Sequence, residues 1–235
     1  MGILARSVDF LFGGPKVGGA LGARLAAWQR MPRADLDVPH ARTRYVVVDV
    51  ETTGLDLHRD TLIAIGAVGV RGNAIALDDG FDAVLRQAQA SDDANILIHG
   101  IGGETQLAGR EPALALLDFL AYATKSPLVA FRAEFDRAVL QRAARDVLGI
   151  PLGLPFVDLA FLLPALFPGT ACDSLDEWVA HFGGDIAVRH HALGDAYATA
   201  QLLLITLAAA EIAGLRSPAQ LLATQKAQRW LGTRR

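Results

Sequence analysis

The stretch YVVVDVETTGL, residues 45–55, restricts the fold more than any other part of the chain. Its first four residues are apolar, three of them valine, and read as a strand buried on both faces. The strand runs straight into Asp49 and, one valine later, Glu51. Side chains alternate faces along a strand, so these two carboxylates share one face. Like charges at the end of a buried strand repel each other and lose solvation. Such a pair is tolerable when positive charge lies between the two groups. The plainer reading is a solvated strand end.

The elements after it follow from periodicity and punctuation. Residues 61–70 read as a second strand, Arg71, Gly72 and Asn73 as a turn, and residues 74–85 as the hairpin partner. Short apolar strands are predicted at 127–131 and 156–158. Helical spacing predicts helices at 21–31, 111–124, 134–148 (stopped by Gly149) and 159–167 (limited by Pro164 and Pro168). Ser174 and Glu177 form a capping box that opens a helix reaching Phe182. A long helix is predicted at 192–213, and an amphipathic piece follows Pro218 and ends in the basic tail 229–235. Three strands, helix, strand, helix, strand and helices make an α/β layer fold. Its mixed five-stranded sheet is an antiparallel meander followed by crossover-connected parallel strands, flanked by helices. The expected organisation is an N-terminal helical extension (1–43), a main domain (44–213) and a C-terminal helical tail (214–235).

Composition removes several classes. Hydrophobic residues make up 52% of the 235, enough for a large core. A net charge of -3 argues against a broad basic face for long duplex DNA. Cys172 is the single cysteine, so the chain forms no internal disulfide and no cysteine zinc cluster, which fits a reducing compartment. Residues 196–213 are apolar, but Gln201 and Glu211 interrupt them, and they read as a buried helix. Asp9, Gly13 and Pro15 break the N-terminal apolar segment, a poor signal peptide. A cytoplasmic protein is expected.

Two further acids stand out. Asp136 falls in the first turns of the helix at 134–148, and Asp195 near the start of an otherwise apolar helix. An Asp there ordinarily complements the helix dipole. Asp60, Asp118, Asp158 and Asp176 are read in that ordinary way, or as solvated.

Taken in order, Asp49-Val50-Glu51-Thr52-Thr53-Gly54-Leu55, then Phe135-Asp136, then His190-His191-Ala192-Leu193-Gly194-Asp195-Ala196 resemble the three motifs of the DnaQ-like, or DEDD, 3′→5′ exonucleases. Ile98-His99-Gly100-Ile101 resembles the piece that this family carries between its first two motifs. The resemblance spans residues 45 to about 210 and implies a ribonuclease H-like three-layer fold. It implies phosphodiester hydrolysis with two divalent cations, Mg2+ or Mn2+, about 3.5–4 Å apart. Such cations take hard oxygen ligands, here Asp49, Glu51, Asp136 and Asp195. By the same resemblance Asp49 bridges both cations, Glu51 and Asp195 hold the one on the nucleophile side, and Asp136 acts directly or through water.

His190, five residues before Asp195, matches the histidine (DEDDh) subclass and its general base. His191 stands where the other subclass has tyrosine, so the doublet leaves two candidates. His99 is read as structural or substrate-side. Thr52, Thr53 and Gly54 are placed to hold the 3′-terminal nucleotide, with Leu55 wedged against its base. The family's His-Asn before motif II is here Phe131-Arg132. Arg132 is read as a phosphate contact, or Phe131 as the end of the strand. The implied substrates are 3′ ends of single-stranded DNA or RNA, DNA favoured, with a DNA polymerase as possible partner of the C-terminal helix. Rival readings are a phosphatase with an Asp-x-Asp strand end and a non-catalytic nucleic-acid-binding module of the same fold.

Overall fold

A computed structural model describes residues 16–185 and 190–232. The start of the expected extension (1–15) and the end of the basic tail (233–235) lie outside the described residues. Helix α1 (Gly19–Arg30) leads through a short 3-10 turn, His40–Arg42, into β1 (Tyr45–Thr52). Strands β2 (Leu62–Arg71) and β3 (Ala74–Val84) complete the meander. Two short helices follow, α2 (Asp93–His99) and α3 (Gly103–Leu107), and then α4 (Pro112–Ala123). Strand β4 (Leu128–Ala130), α5 (Glu134–Ala143), β5 (Phe156–Asp158) and α6 (Leu159–Leu166) form the parallel half. Helices α7 (Leu175–His181), α8 (Ala192–Ile212) and α9 (Pro218–Gly232) close the fold.

The sheet order is β3-β2-β1-β4-β5, with β1 antiparallel to β2 and parallel to β4. The mixed five-stranded sheet is the one expected. The capping box at Ser174 and Glu177 is present. Gly149 ends α5 and its π-helical last turn, Ala144–Leu148, in the left-handed conformation (φ 73°). Helices α2 and α3 were not anticipated by periodicity.

Strand parity sorts the core. Val46, Val48 and Val50 face a layer that includes Leu25 and Trp28 of α1, Phe119 and Leu120 of α4, and Val139 and Leu140 of α5. Tyr45 and Val47 face the opposite layer, with Trp178 of α7 and Leu202, Leu203 and Leu207 of α8. By length and composition α8 is apolar enough to cross a bilayer. Here it packs on β1 and β2, with Ala196, Ala200 and Leu203 fully buried. The same parity turns Asp49 and Glu51 toward the α8 side of the sheet.

Candidate active site

Asp49 lies opposite Gly66 of β2, and Glu51 opposite Ala64, with a register shift just after Glu51. Gly66 is the reason α8 sits where it does. A Cβ there would stand 2.0 Å from the Leu193 nitrogen and 2.1 Å from the Ala192 carbonyl carbon. Only a residue without a side chain lets the N-terminus of α8 rest on β2. That contact carries Asp195, in the first turn of α8, to the strand acids. One carboxylate oxygen each from Asp49, Glu51 and Asp195 lie within 4.8 Å of one another. Asp195 is buried, while Asp49 and Glu51 are half-buried. The three border a cleft of about 280 Å³ that Phe131, Arg132 and His190 also line. Three convergent carboxylates, all hard oxygen donors, suit a divalent cation such as Mg2+ or Mn2+. The N-terminus of α8, with its partial positive charge, carries Asp195 in its first turn.

Asp136 stands apart from this trio. Parallel pairing of β1 with β4 covers only Val46 and Val47 opposite Leu128 and Val129. The Val46 N–H donates to Pro127 on that side. The Val50 N–H points the same way, beyond the end of β4, and there the Asp136 carboxyl takes it. Asp136 thus stands in for a missing strand neighbour, close enough to Glu51 for the two charges to interact. Burial pushes its carboxyl up to about 7, and the charges of Asp158 and Glu51 add to this; the backbone N–H groups of Asp136 and Val50 oppose it. A cation bound beside it would favour the charged form.

Asp158 is neither solvated nor an ordinary surface cap. It is 3% exposed and caps α6 by accepting the Ala160 N–H (3.0 Å). It also accepts the backbone N–H groups of Ala133 and Arg132. Burial raises its pKa, and those donors partly restore the charged form. Its carboxylate therefore fixes the turn that presents Asp136. No sequence signal separated Asp158 from other helix-capping acids, because its importance comes from burial. Gly66 did carry a signal, shared with Gly69 of the same strand, as glycine within a strand pattern marks a bulge or a close backbone approach.

The two histidines differ in placement. His190 adopts φ +56°, and its N–H donates to Asp195 Oδ2 at 3.1 Å. The residue is exposed and lines the cleft. His191 is the exposed N-cap of α8 and is not among the lining residues. His99 is buried and structural in its contacts: Nδ1 accepts the Ile101 N–H (2.9 Å), which leaves Nε2–H to donate to Asn95 (2.8 Å).

The turn after β1 is built on Asp60. Thr53 Oγ1 donates to Asp60 Oδ1 (3.0 Å), and the Asp56 N–H donates to Oδ2 (2.7 Å). A Cβ on Gly54 would meet the Asp60 carboxylate at 2.5 Å and would displace it from these two hydrogen bonds. Thr52 Oγ1 donates to the Gly54 carbonyl. Leu55 projects from this turn, 85% exposed. Arg132, also in the left-handed region (φ +58°), donates to the Asp173 carbonyl (3.0 Å) at the rim of the cleft.

The exonuclease family of the RNase T type matches residues 46–203. The chain is 33% identical over 160 residues to the DNA polymerase III PolC-type of Thermotoga maritima, covering 68% of this chain and 12% of that protein. It is 30% identical over 184 residues to a DNA polymerase III subunit epsilon-like protein of Rhodobacter capsulatus, covering 76% of this chain and 26% of that one. The chain thus spans only a small part of the curated relatives it matches. Among solved structures, E. coli exonuclease I in complex with a dT13 oligonucleotide aligns with a TM-score of 0.62 at 17% identity, over 70% of this chain and 41% of that one. Exonuclease X in complex with 5′-overhanging duplex DNA aligns with a TM-score of 0.59 at 22% identity, over 77% of this chain and 99% of that one. These likenesses establish the fold, and the family match establishes descent. With the acids of β1 and α8 gathered in one cleft, the chain belongs to the DnaQ-like exonuclease family of the ribonuclease H-like superfamily.

Proposed function

We propose that the protein is a metal-dependent 3′→5′ exonuclease that removes nucleoside monophosphates from single-stranded ends, DNA preferred. The observation that carries this reading is the convergence of Asp49, Glu51 and Asp195 within 4.8 Å. Asp49, Glu51 and Asp195 would hold two divalent cations, Mg2+ or Mn2+, with Asp136 supporting them from behind β1. When bound, the cations supply charge neutralisation of the phosphate and activation of the attacking water. His190, its backbone anchored on Asp195 and the residue lining the cleft, is placed to take the proton of the attacking water. Thr52, Thr53 and Gly54 shape the floor under the terminal nucleotide, and Leu55 meets its base. Arg132 faces the scissile phosphate region from the rim.

The exonuclease unit is taken as 44–213, with 1–43 and 214–235 as accessory segments in a cytoplasmic protein. Relatives that are DNA polymerase III proteins favour a polymerase partner. The test is digestion of end-labelled single-stranded DNA and RNA with Mg2+ or Mn2+, resolved for polarity. Stepwise shortening from the 3′ end with release of nucleoside monophosphates is expected, together with its disappearance in Asp49→Ala. Release of inorganic phosphate alone, or activity that survives Asp49→Ala, refutes the assignment.

A further inference from the structure

The end of the sheet where β1 begins carries charge of the opposite sign. The connection from α1 to β1 and the turn from α4 to β4 enclose a cavity of about 410 Å³, lined by Arg42, Arg44, Lys125 and Asp35 among others. An adjoining cavity of about 320 Å³ shares Lys125 and adds Arg33. Arg44 is already neutralised: Nε and Nη2 donate to the two oxygens of Asp79 at 2.9 and 2.8 Å. Among the described residues, no carboxylate forms an ion pair with Arg33, Arg42 or Lys125. Asp35 offers one opposing charge, and its Oδ1 accepts the Asp37 N–H (3.0 Å). Positive charge is therefore in excess. Burial first, and the charge of Arg33 second, push the Lys125 amine down to about 8.

The cavity is also structurally defined. The Lys125 ammonium lies over the Trp28 ring, 3.0 Å from its centroid. Trp28 Nε1–H in turn donates to the Thr124 carbonyl at 2.7 Å. Thr124, a β-branched residue, is held at φ +53°, a conformation that persists only where its surroundings over-determine it. Met31, Val38 and Pro127 supply an apolar wall. Cavities of a few hundred Å³ with apolar walls and a few charged groups are those that take small ligands.

We propose that this cavity binds a phosphate group through Arg42 and Lys125, with Arg33 adding its charge from the adjoining cavity that shares Lys125, and with the attached nucleoside against Met31, Val38 and Pro127. Two sources share this chemistry: a free nucleoside monophosphate and the 5′-phosphorylated end of a strand. The site lies roughly 20 Å from the acid cluster, the length of β1 between them. It does not depend on the exonuclease reading, and its test involves no turnover.

Calorimetric titration of the full chain at low salt with EDTA would use three probes: inorganic phosphate, a nucleoside monophosphate and a 5′-phosphorylated short oligothymidylate. Binding of a phosphorylated probe is expected, weakened about tenfold or more by the double variant Arg33→Ala/Arg42→Ala and unchanged in Asp49→Ala. Both arginines are exposed, so that variant keeps its fold. Lys125→Met, titrated with the same three probes, gives an independent reading of the same loss. Tighter binding of the mononucleotide assigns a free nucleotide, and tighter binding of the oligonucleotide a strand terminus; either supports the site. Absence of binding at millimolar probe, or equal affinity in the double variant and the wild type, overturns it.

Discussion

Gly66 shows how one missing side chain sets the geometry of a distant acid. With Ala at this position the added carbon meets backbone of α8, which no rotamer relieves. Gly66→Ala is expected to destabilise by about 1–3 kcal/mol, the usual range for overpacking. Because α8 must shift, Asp195 moves relative to Asp49 and Glu51. Activity measured at saturating Mn2+ should fall about 100-fold, the scale of a misplacement of about 1 Å. Loss of stability without loss of Mn2+ affinity would separate α8 from the cation site. The histidine doublet is decided at the same scale. His190 lines the cleft and His191 does not, so His190→Ala should cost about 10²–10⁴-fold in turnover and His191→Ala little. The reverse ranking, measured on one oligonucleotide, would move the base to His191. The strand acids were readable because period-two alternation alone puts Asp49 and Glu51 on one face. Asp195 and His190 were readable through their spacing at a helix start. Asp158 and Asp60 were not, since a carboxylate that binds the backbone of another segment has no signature in its own neighbours.

Among the elements, β4 and α9 matter most to the cleft. Strand β4 stops at Ala130 while β1 runs on to Thr52, and the Asp136 carboxyl takes the Val50 N–H that a longer β4 would have paired. On the far side, β5 is the edge of the sheet, and a side chain of α9 pairs with it. Gln225 Oε1 accepts the Asp158 N–H at 2.8 Å, and its Nε2 donates to the Phe156 carbonyl at 3.3 Å. One amide thus imitates a neighbouring strand and keeps the edge from pairing with another chain. It also steadies Asp158, which holds the turn before α5. Gln225→Ala should cost about 1–3 kcal/mol, from a part-buried N–H left unsatisfied, read as a lower urea midpoint. An unchanged midpoint would show that water replaces the amide. The short helices α2 and α3 escaped the sequence reading for a physical reason. Leu97 and Ile98 of α2 are 85% and 56% exposed, so apolar spacing there does not mark a buried face. The long α8 and strand β2 were legible as nearly continuous apolar runs, the one long enough for a buried helix and the other closed by the turn at Arg71, Gly72 and Asn73.

At the scale of the whole molecule, His40 joins the segment before β1 to the turn after α8. It is 1% exposed; its Nε2–H donates to the Leu215 carbonyl (3.1 Å) and Nδ1 accepts from the Tyr45 hydroxyl (2.6 Å). Burial lowers its pKa, against the Leu215 carbonyl and the charge of Glu211, which raise it. The unfolded chain therefore binds a proton here more readily than the folded one below the ordinary histidine range, about 6.5. The contribution of His40 is present at neutral pH and is lost as pH falls through that value. The raised carboxyls of Asp136 and Asp158 act with opposite sign, their contribution fading as pH rises. The informative quantity is thus a difference. The stability of wild type relative to His40→Gln should shrink between pH 7 and pH 5 in urea titrations. A constant difference would mean that His40 titrates alike in both states.

β1 has the carboxylate trio near its exit and the cavity of Arg42, Arg44 and Lys125 near its entrance. Their separation of roughly 20 Å exceeds the Debye length of about 8 Å at physiological ionic strength. Across solvent, the two poles are electrostatically deaf to each other. Charge reversal at one should leave ion affinity at the other intact in physiological buffer, and any cross-talk should emerge only on dilution of the salt.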